Sequence, residues 1–272
     1  MQTVNRYGIA ALSAALIVLG GCATSPLGRT QLVFFPDSEM NRMGVLAFQD
    51  IQARTPLEED PVIRSYVQCV AAAMLQRPGG NAGGSTWEVR VFRQDQANAF
   101  ALPGKKIGVF TGLLKVAENQ DQLAAVIGHE IAHVQARHAN ERVSTGYLAQ
   151  SGSQLIAAMA GGSAQTRSNV MAMLGVGTQV GILLPFGRAQ ESEADLIGLD
   201  LMAKAGFDPR QSIRLWQNMG ATAGRKPPEF LSTHPASETR IRQLRQRMPQ
   251  AIKLYEQARA AGHRPACRQP AG

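Results

Sequence analysis

Residues 124–138 read AAVIGHEIAHVQARH, and this stretch constrains the chain more than any other. Leu123, Ala124, Val126, Ile127, Ile131, Ala132 and Val134 give it the apolar spacing of a buried helix. Yet His129, Glu130 and His133 sit in its middle, and polar groups buried without partners are costly. On a helix, positions i and i+4 share a face, so both imidazoles point to one side. That is the geometry two ligands of one tetrahedral metal need, with Zn–N distances of roughly 2.0–2.1 Å. Glu130 is rotated by about 100° from His129. It can reach a water beside the metal without ligating it.

The spacing fits the H-E-x-x-H pattern of zinc-dependent peptide hydrolysis. Such a centre needs a third protein ligand and leaves a fourth position open. RAQESEADLIGLD, residues 188–200, offers one. Glu191 and Asp195 are i and i+4 on a second helix. If Glu191 ligates the metal, Asp195 can take an imidazole N–H and fix the tautomer of a ligating histidine. Glu193 points elsewhere and is the weaker ligand candidate. His138 reads as a packing or supporting residue, and His263 as part of the tail.

The periodicities predict a strand at 31–35, helices at 37–53 and 60–76, and a Gly-rich loop at 77–85. Strands are expected at 87–94 and 106–110, with 98–102 extended and a turn at Pro103-Gly104. One helix is expected over 121–143, and others over 190–205 and 209–219, before basic C-terminal helices. Two nearly uncharged apolar stretches, 147–159 and 169–184, read as a helical hairpin packed on the domain or closing over the site, with membrane contact as the alternative. The expected fold class is α+β, mostly helical, with a small antiparallel sheet beside the H-E-x-x-H helix.

At the N-terminus, Arg6 and a short apolar run end in Leu19-Gly20-Gly21-Cys22. That quartet resembles the bacterial lipobox, which implies that residues 1–21 are a cleaved signal peptide and that Cys22 is lipidated. Ala23 after the cysteine favours the outer membrane, facing the periplasm. Residues 22–30 then form a tether and 31–272 a single domain. Cys69 and Cys267 remain, and in an oxidising compartment they are expected to pair. The formal charge of +8 is uneven. From Arg240 onward eight Arg/Lys face the single Glu256, a face for solvent or for anionic headgroups. A nucleic-acid partner is not expected.

GHEIAHVQARH, PFGRAQESEAD and STHPASETRI together resemble the zinc metallopeptidase family that contains HtpX, the CaaX prenyl proteases and BepA-type enzymes. The resemblance covers roughly 34–244. It implies a zincin-like (gluzincin) domain with one Zn2+, held by His129, His133 and Glu191, and Glu130 as general base. Gly187 stands where the family commonly has Ser. His234 is a candidate either to stabilise the oxyanion or to sit on the open metal position and hold the enzyme latent. Arg240 is expected to pair with a carboxylate near the site or to bind substrate. Asn98, Ala99, Phe100 and Ala101 form a strand beside the cleft where an extended peptide could add by backbone hydrogen bonds. The expected function is a lipid-anchored periplasmic metalloendopeptidase degrading misfolded or misassembled envelope proteins. Its expected partners are such substrates and an outer-membrane assembly machinery. The alternative is a chaperone or assembly factor with a blocked zinc site.

Overall fold

The computed structural model describes residues 22–75, 87–149, 186–221, 230–231, 234 and 238–270. The segment read as a signal peptide, the expected Gly-rich loop and most of the two apolar stretches expected to form a hairpin therefore lie outside the described residues. A small hairpin, β1 (Cys22–Thr24) and β2 (Thr30–Leu32), leads into α1 (Asp37–Arg54) and α2 (Pro61–Leu75). Strands β3 (Glu88–Phe92), β4 (Ala99–Leu102) and β5 (Lys106–Phe110) come next. After a short 3-10 turn follow α3 (Gln120–Gln135), α4 (His138–Ala149), α5 (Arg188–Lys204), α6 (Arg210–Ala221) and α7 (Glu238–Ala260). None of these helices is long and apolar enough to cross a membrane.

The three-stranded sheet has the order β3-β5-β4. It is mixed rather than antiparallel: β3 runs parallel to β5, and only β4 is antiparallel to it. Alternation along each strand sorts side chains onto two faces. Val91, Ala99, Ile107 and Val109 join a core with α2, α3, α5, α6 and α7. Phe92, Phe100, Leu102 and Phe110 face the opposite way, onto Met40, Met43, Phe48 and Ile51 of α1. Those rings pack as a cluster, with Phe92 and Phe100 stacked at 6.0 Å between centroids. Gly108 makes room for it, because a Cβ there would meet the Phe100 ring at 2.3 Å.

Four spans differ from expectation. Residues 22–30 are no loose tether: they form the β1–β2 hairpin, which docks on α4 and α5 through Arg29 and Leu27. The strand expected at 31–35 shortens to β2, and Phe34 N–H instead donates to Ser144 Oγ on α4 at 2.9 Å. The helix expected over 121–143 breaks into α3 and α4 at Arg137, which adopts a φ of 56°. The C-terminal region is one helix that continues through Pro249.

α3 is capped by Asn119, whose side chain accepts from Gln122 N–H at 2.9 Å. Almost every residue of α3 from Gln122 to His133 is buried, which explains its apolar run. α5 crosses it at backbone contact. A Cβ on Gly198 would come within 2.8 Å of His129 N, and one on Gly128 within 2.9 Å of the Gly198 carbonyl oxygen. This close approach brings the two polar motifs together. A disulfide between Cys69 of α2 and Cys267 ties the C-terminal stretch across the start of α3. There Cys267 N–H donates to Gln120 Oε1 at 2.8 Å.

Candidate active site

α3 presents His129 and His133 on its buried face, and α5 presents Glu191 from its first turn, where the helix dipole favours an anion. His129 Nε2 lies 3.0 Å from His133 Nε2, and the Glu191 carboxylate is 3.4 and 3.5 Å from those two nitrogens. His234 completes the group: its Nδ1 is 3.1 Å from His129 Nε2 and 3.0 Å from Glu191 Oε1. The four donor atoms all lie within 4.8 Å of one another, so they could hold one metal ion. Their exposure is 1–3%, so the centre is closed to solvent in this conformation.

The donor set fits a divalent cation. Asp195 Oδ1 is 3.0 Å from His129 Nδ1 and, being a carboxylate, accepts a hydrogen bond from that N–H, which keeps the proton on Nδ1. His129 Nε2 then turns a lone pair toward two other ring nitrogens and a carboxylate, an electron-rich cluster that needs a positive charge at its centre. Without a metal, one proton answers that need. Burial disfavours it, but hydrogen bonds to Asp195 and Glu191 push His129 up to about 9. Burial and the neighbouring imidazolium hold His133 well below the ordinary value, so it does not take a second proton. Glu191, despite its burial, stays far below the ordinary carboxylate range because His234, His129 and His133 surround it.

Glu130 sits on the same helix but faces β4, where Ala101 N–H donates to its Oε2 at 3.2 Å. Its Oε1 lies 3.3 Å from His234 Nε2. Burial lifts the Glu130 carboxyl above the ordinary range, against the pull of His234 and His129. A raised carboxyl suits a group that must take up and release a proton near neutral pH.

The supporting residues are placed as follows. Arg240 is no surface substrate binder: it is buried, with Nε and Nη2 on Asp195 at 2.5 and 2.8 Å and Nη1 3.0 Å from Glu191. The same Nη1 donates to the His234 carbonyl at 3.2 Å, so one guanidinium joins the segments that carry Glu191 and His234. Asn98, Ala99 and Phe100 are buried, Phe100 in the aromatic cluster, which leaves no side chain of theirs for substrate. Ala101 touches the site through its backbone N–H, which donates to Glu130. Cys22 is exposed at the head of β1. Sequence reasoning missed Phe186, stacked on His133 at 4.0 Å, and Arg142, which lies 3.6 Å over that ring. It also missed Phe230, stacked on His234 at 4.5 Å. Aromatic neighbours of this kind carry no spacing signal.

Two helices meeting at a buried His-Glu-His cluster, beside a sheet whose edge strand touches the motif glutamate, define a zincin-like metallopeptidase. The chain is matched over residues 61–248, more than half its length, by the description "Peptidase family M48". It belongs to that family, whose members use zinc. The mitochondrial metalloendopeptidase OMA1 of Schizosaccharomyces pombe is 41% identical over 167 residues, 61% of this chain and 48% of the relative. OMA1 of Saccharomyces cerevisiae is 36% identical over 183 residues, 64% and 51% of the two chains. The beta-barrel assembly-enhancing protease of Escherichia coli K12 is 28% identical over 228 residues, 80% and 45%. The chain thus spans about half the length of these relatives. They correct one expectation. The N-terminus led to a periplasmic, outer-membrane placement, whereas relatives from yeasts, plant and cow at 36–41% identity are mitochondrial by name.

Proposed function

We propose that this metallopeptidase is an endopeptidase for misfolded or misassembled proteins, with His129, His133 and Glu191 as zinc ligands and Glu130 as general base. The observation that carries the assignment is the convergence of His129 Nε2, His133 Nε2 and the Glu191 carboxylate within 3.5 Å, with Glu130 turned aside toward β4. Zinc, when bound, supplies Lewis-acid polarisation of the scissile carbonyl and makes water acidic enough to be deprotonated near neutral pH. Glu130 takes the proton of the attacking water and returns it to the leaving amine. Asp195, held by Arg240, keeps the His129 proton on Nδ1. β4 pairs only with β5 among the described residues. Its outer side therefore supports an extended substrate added as a further strand, a mode that reads backbone and suits unfolded chains. The substrate class is supported by the relative named for β-barrel assembly.

The test is proteolysis of casein by the purified chain. Chelation should stop it and zinc restore it. Glu130→Gln should lower turnover by about 10²–10⁴-fold with metal content unchanged. Retained cleavage in Glu130→Gln would remove the glutamate from this role.

A second reading rests on His234. Its Nδ1 stands as a fourth potential donor beside His129 Nε2 and Glu191 Oε1, an arrangement that would occupy the open metal position and hold the enzyme latent. In its extreme form the chain is a chaperone or assembly factor with a blocked centre. His234→Ala separates the cases. Latency expects casein cleavage to rise, an oxyanion role expects a fall of about 10²-fold or more, and a chaperone expects no cleavage in either protein.

A further inference from the structure

The two metal-facing imidazoles of α3 are supported differently. His129 has a carboxylate behind it, Asp195 at 3.0 Å, neutralised by Arg240. Behind His133 stands another imidazole: His138 Nδ1 is 2.9 Å from His133 Nδ1. His138 Nε2 is in turn 3.2 Å from Glu193 Oε2. Glu193 also accepts from Arg29 Nε at 3.1 Å and from Leu27 N–H at 3.3 Å. Arg29 closes the chain with a bidentate contact to Glu141 at 2.5 and 2.6 Å. His138 and Glu193 are buried, at 0% and 4% exposure.

With His138 neutral, one arrangement of protons satisfies this chain. A carboxylate can only accept, so His138 carries its proton on Nε2 and its Nδ1 is a bare acceptor. The facing Nδ1 of His133 must then carry a proton, which leaves His133 Nε2 bare and directed at the metal-ligand cluster. The tautomer a ligand needs is therefore set by a residue five positions away.

We propose that His138 is a positioning residue for His133, fixing its tautomer and ring orientation, and that Glu193 with Arg29 of the β1–β2 hairpin anchors His138. The backbone gives independent support. On an unbroken helix, positions i and i+5 diverge by about 140°, and the two rings would not meet. Arg137, a non-glycine residue at φ 56°, turns the chain so that His138 folds back onto His133. A left-handed arginine costs roughly 1–2 kcal/mol, and strain of this kind is retained where the site requires the conformation it enforces. A neutral imidazole is a weaker acceptor than a carboxylate, so His133 is the less polarised of the two histidine ligands. It is also the one coupled to the N-terminal hairpin.

The inference rests on the reading of His133 as a ligand, and the experiment keeps the two apart. Zinc affinity is measured on the full chain by competition with a chromophoric chelator, alongside the visible spectrum of the cobalt-substituted protein. His138→Leu should weaken zinc binding by about 10–100-fold and shift the cobalt bands. His138→Asn, whose Oδ1 can replace the Nδ1 acceptor, should recover most of both. Glu193→Ala, which keeps His138 but frees it, should give a smaller loss in the same direction. Unchanged affinity and spectrum in His138→Leu overturn the proposal. If that variant does not fold, unchanged values in Glu193→Ala overturn it. His133→Ala runs in parallel. If it loses zinc while the His138 and Glu193 variants do not, only the relay fails. If it binds zinc like the parent chain, the ligand assignment itself is wrong.

Discussion

At the scale of single residues, metal and proton compete for one nitrogen. His129 is pushed up to about 9 when no metal is bound, from an ordinary 6.5, because its hydrogen bonds to carboxylates outweigh burial. A raised folded value contributes stability that is full below 6.5 and lost as pH rises through about 9. The metal-free chain should therefore weaken across that window, and zinc should erase the dependence. Zinc binding at pH 7.5 should release about one proton, read by calorimetry in buffers of different ionisation enthalpy. Zero release would mean that His129 is already neutral. The meeting of His129 and His133 with Glu191 was legible in the sequence because their spacing on two helices is a geometric statement. His138 was read as a packing or supporting residue, but its contact with His133 and the part played by Arg29 were not legible, since one contact depends on a left-handed Arg137 and the other joins positions with no common periodicity.

At the scale of elements, the crossing of α3 and α5 sets the distance between the histidines and Glu191. Gly128 and Gly198 let the backbones touch, and a methyl group on Gly198 would lie 2.8 Å from His129 N. Gly198→Ala should push the helices apart, cost about 1–3 kcal/mol of stability and weaken zinc binding at least tenfold. Equal affinity in chelator competition would show that the crossing tolerates a wider spacing. The spans of α1, α2, α5 and α6 could be read from apolar period and caps. The break between α3 and α4 could not, because Arg137 carries none of the Gly, Pro or Asn signals that mark a stop. The parallel pairing of β3 with β5 was hidden for a related reason: alternation shows which face a residue takes, not which strand lies alongside.

At the scale of the whole molecule, the disulfide between Cys69 and Cys267 spans a sequence separation of 198 residues. Chain entropy assigns such a link about 5 kcal/mol. The Cys69→Ser/Cys267→Ser double variant should lose stability of that order in denaturant titration, and a loss below about 1 kcal/mol would show the tail to be held by its other contacts. The link was expected from the cysteine count together with an oxidising compartment, whereas the N-terminal reading misplaced the chain, because a leader pattern is an address and not a packing constraint. The position of this bond has one further consequence. His129, His133, Glu191 and His234 all fall inside the covalent ring it closes. A peptidase lives among peptidases, and a nick between His133 and Glu191 would put the imidazole pair on one fragment and the carboxylate on the other. The two fragments would still travel as one body, parting on a gel only after reduction.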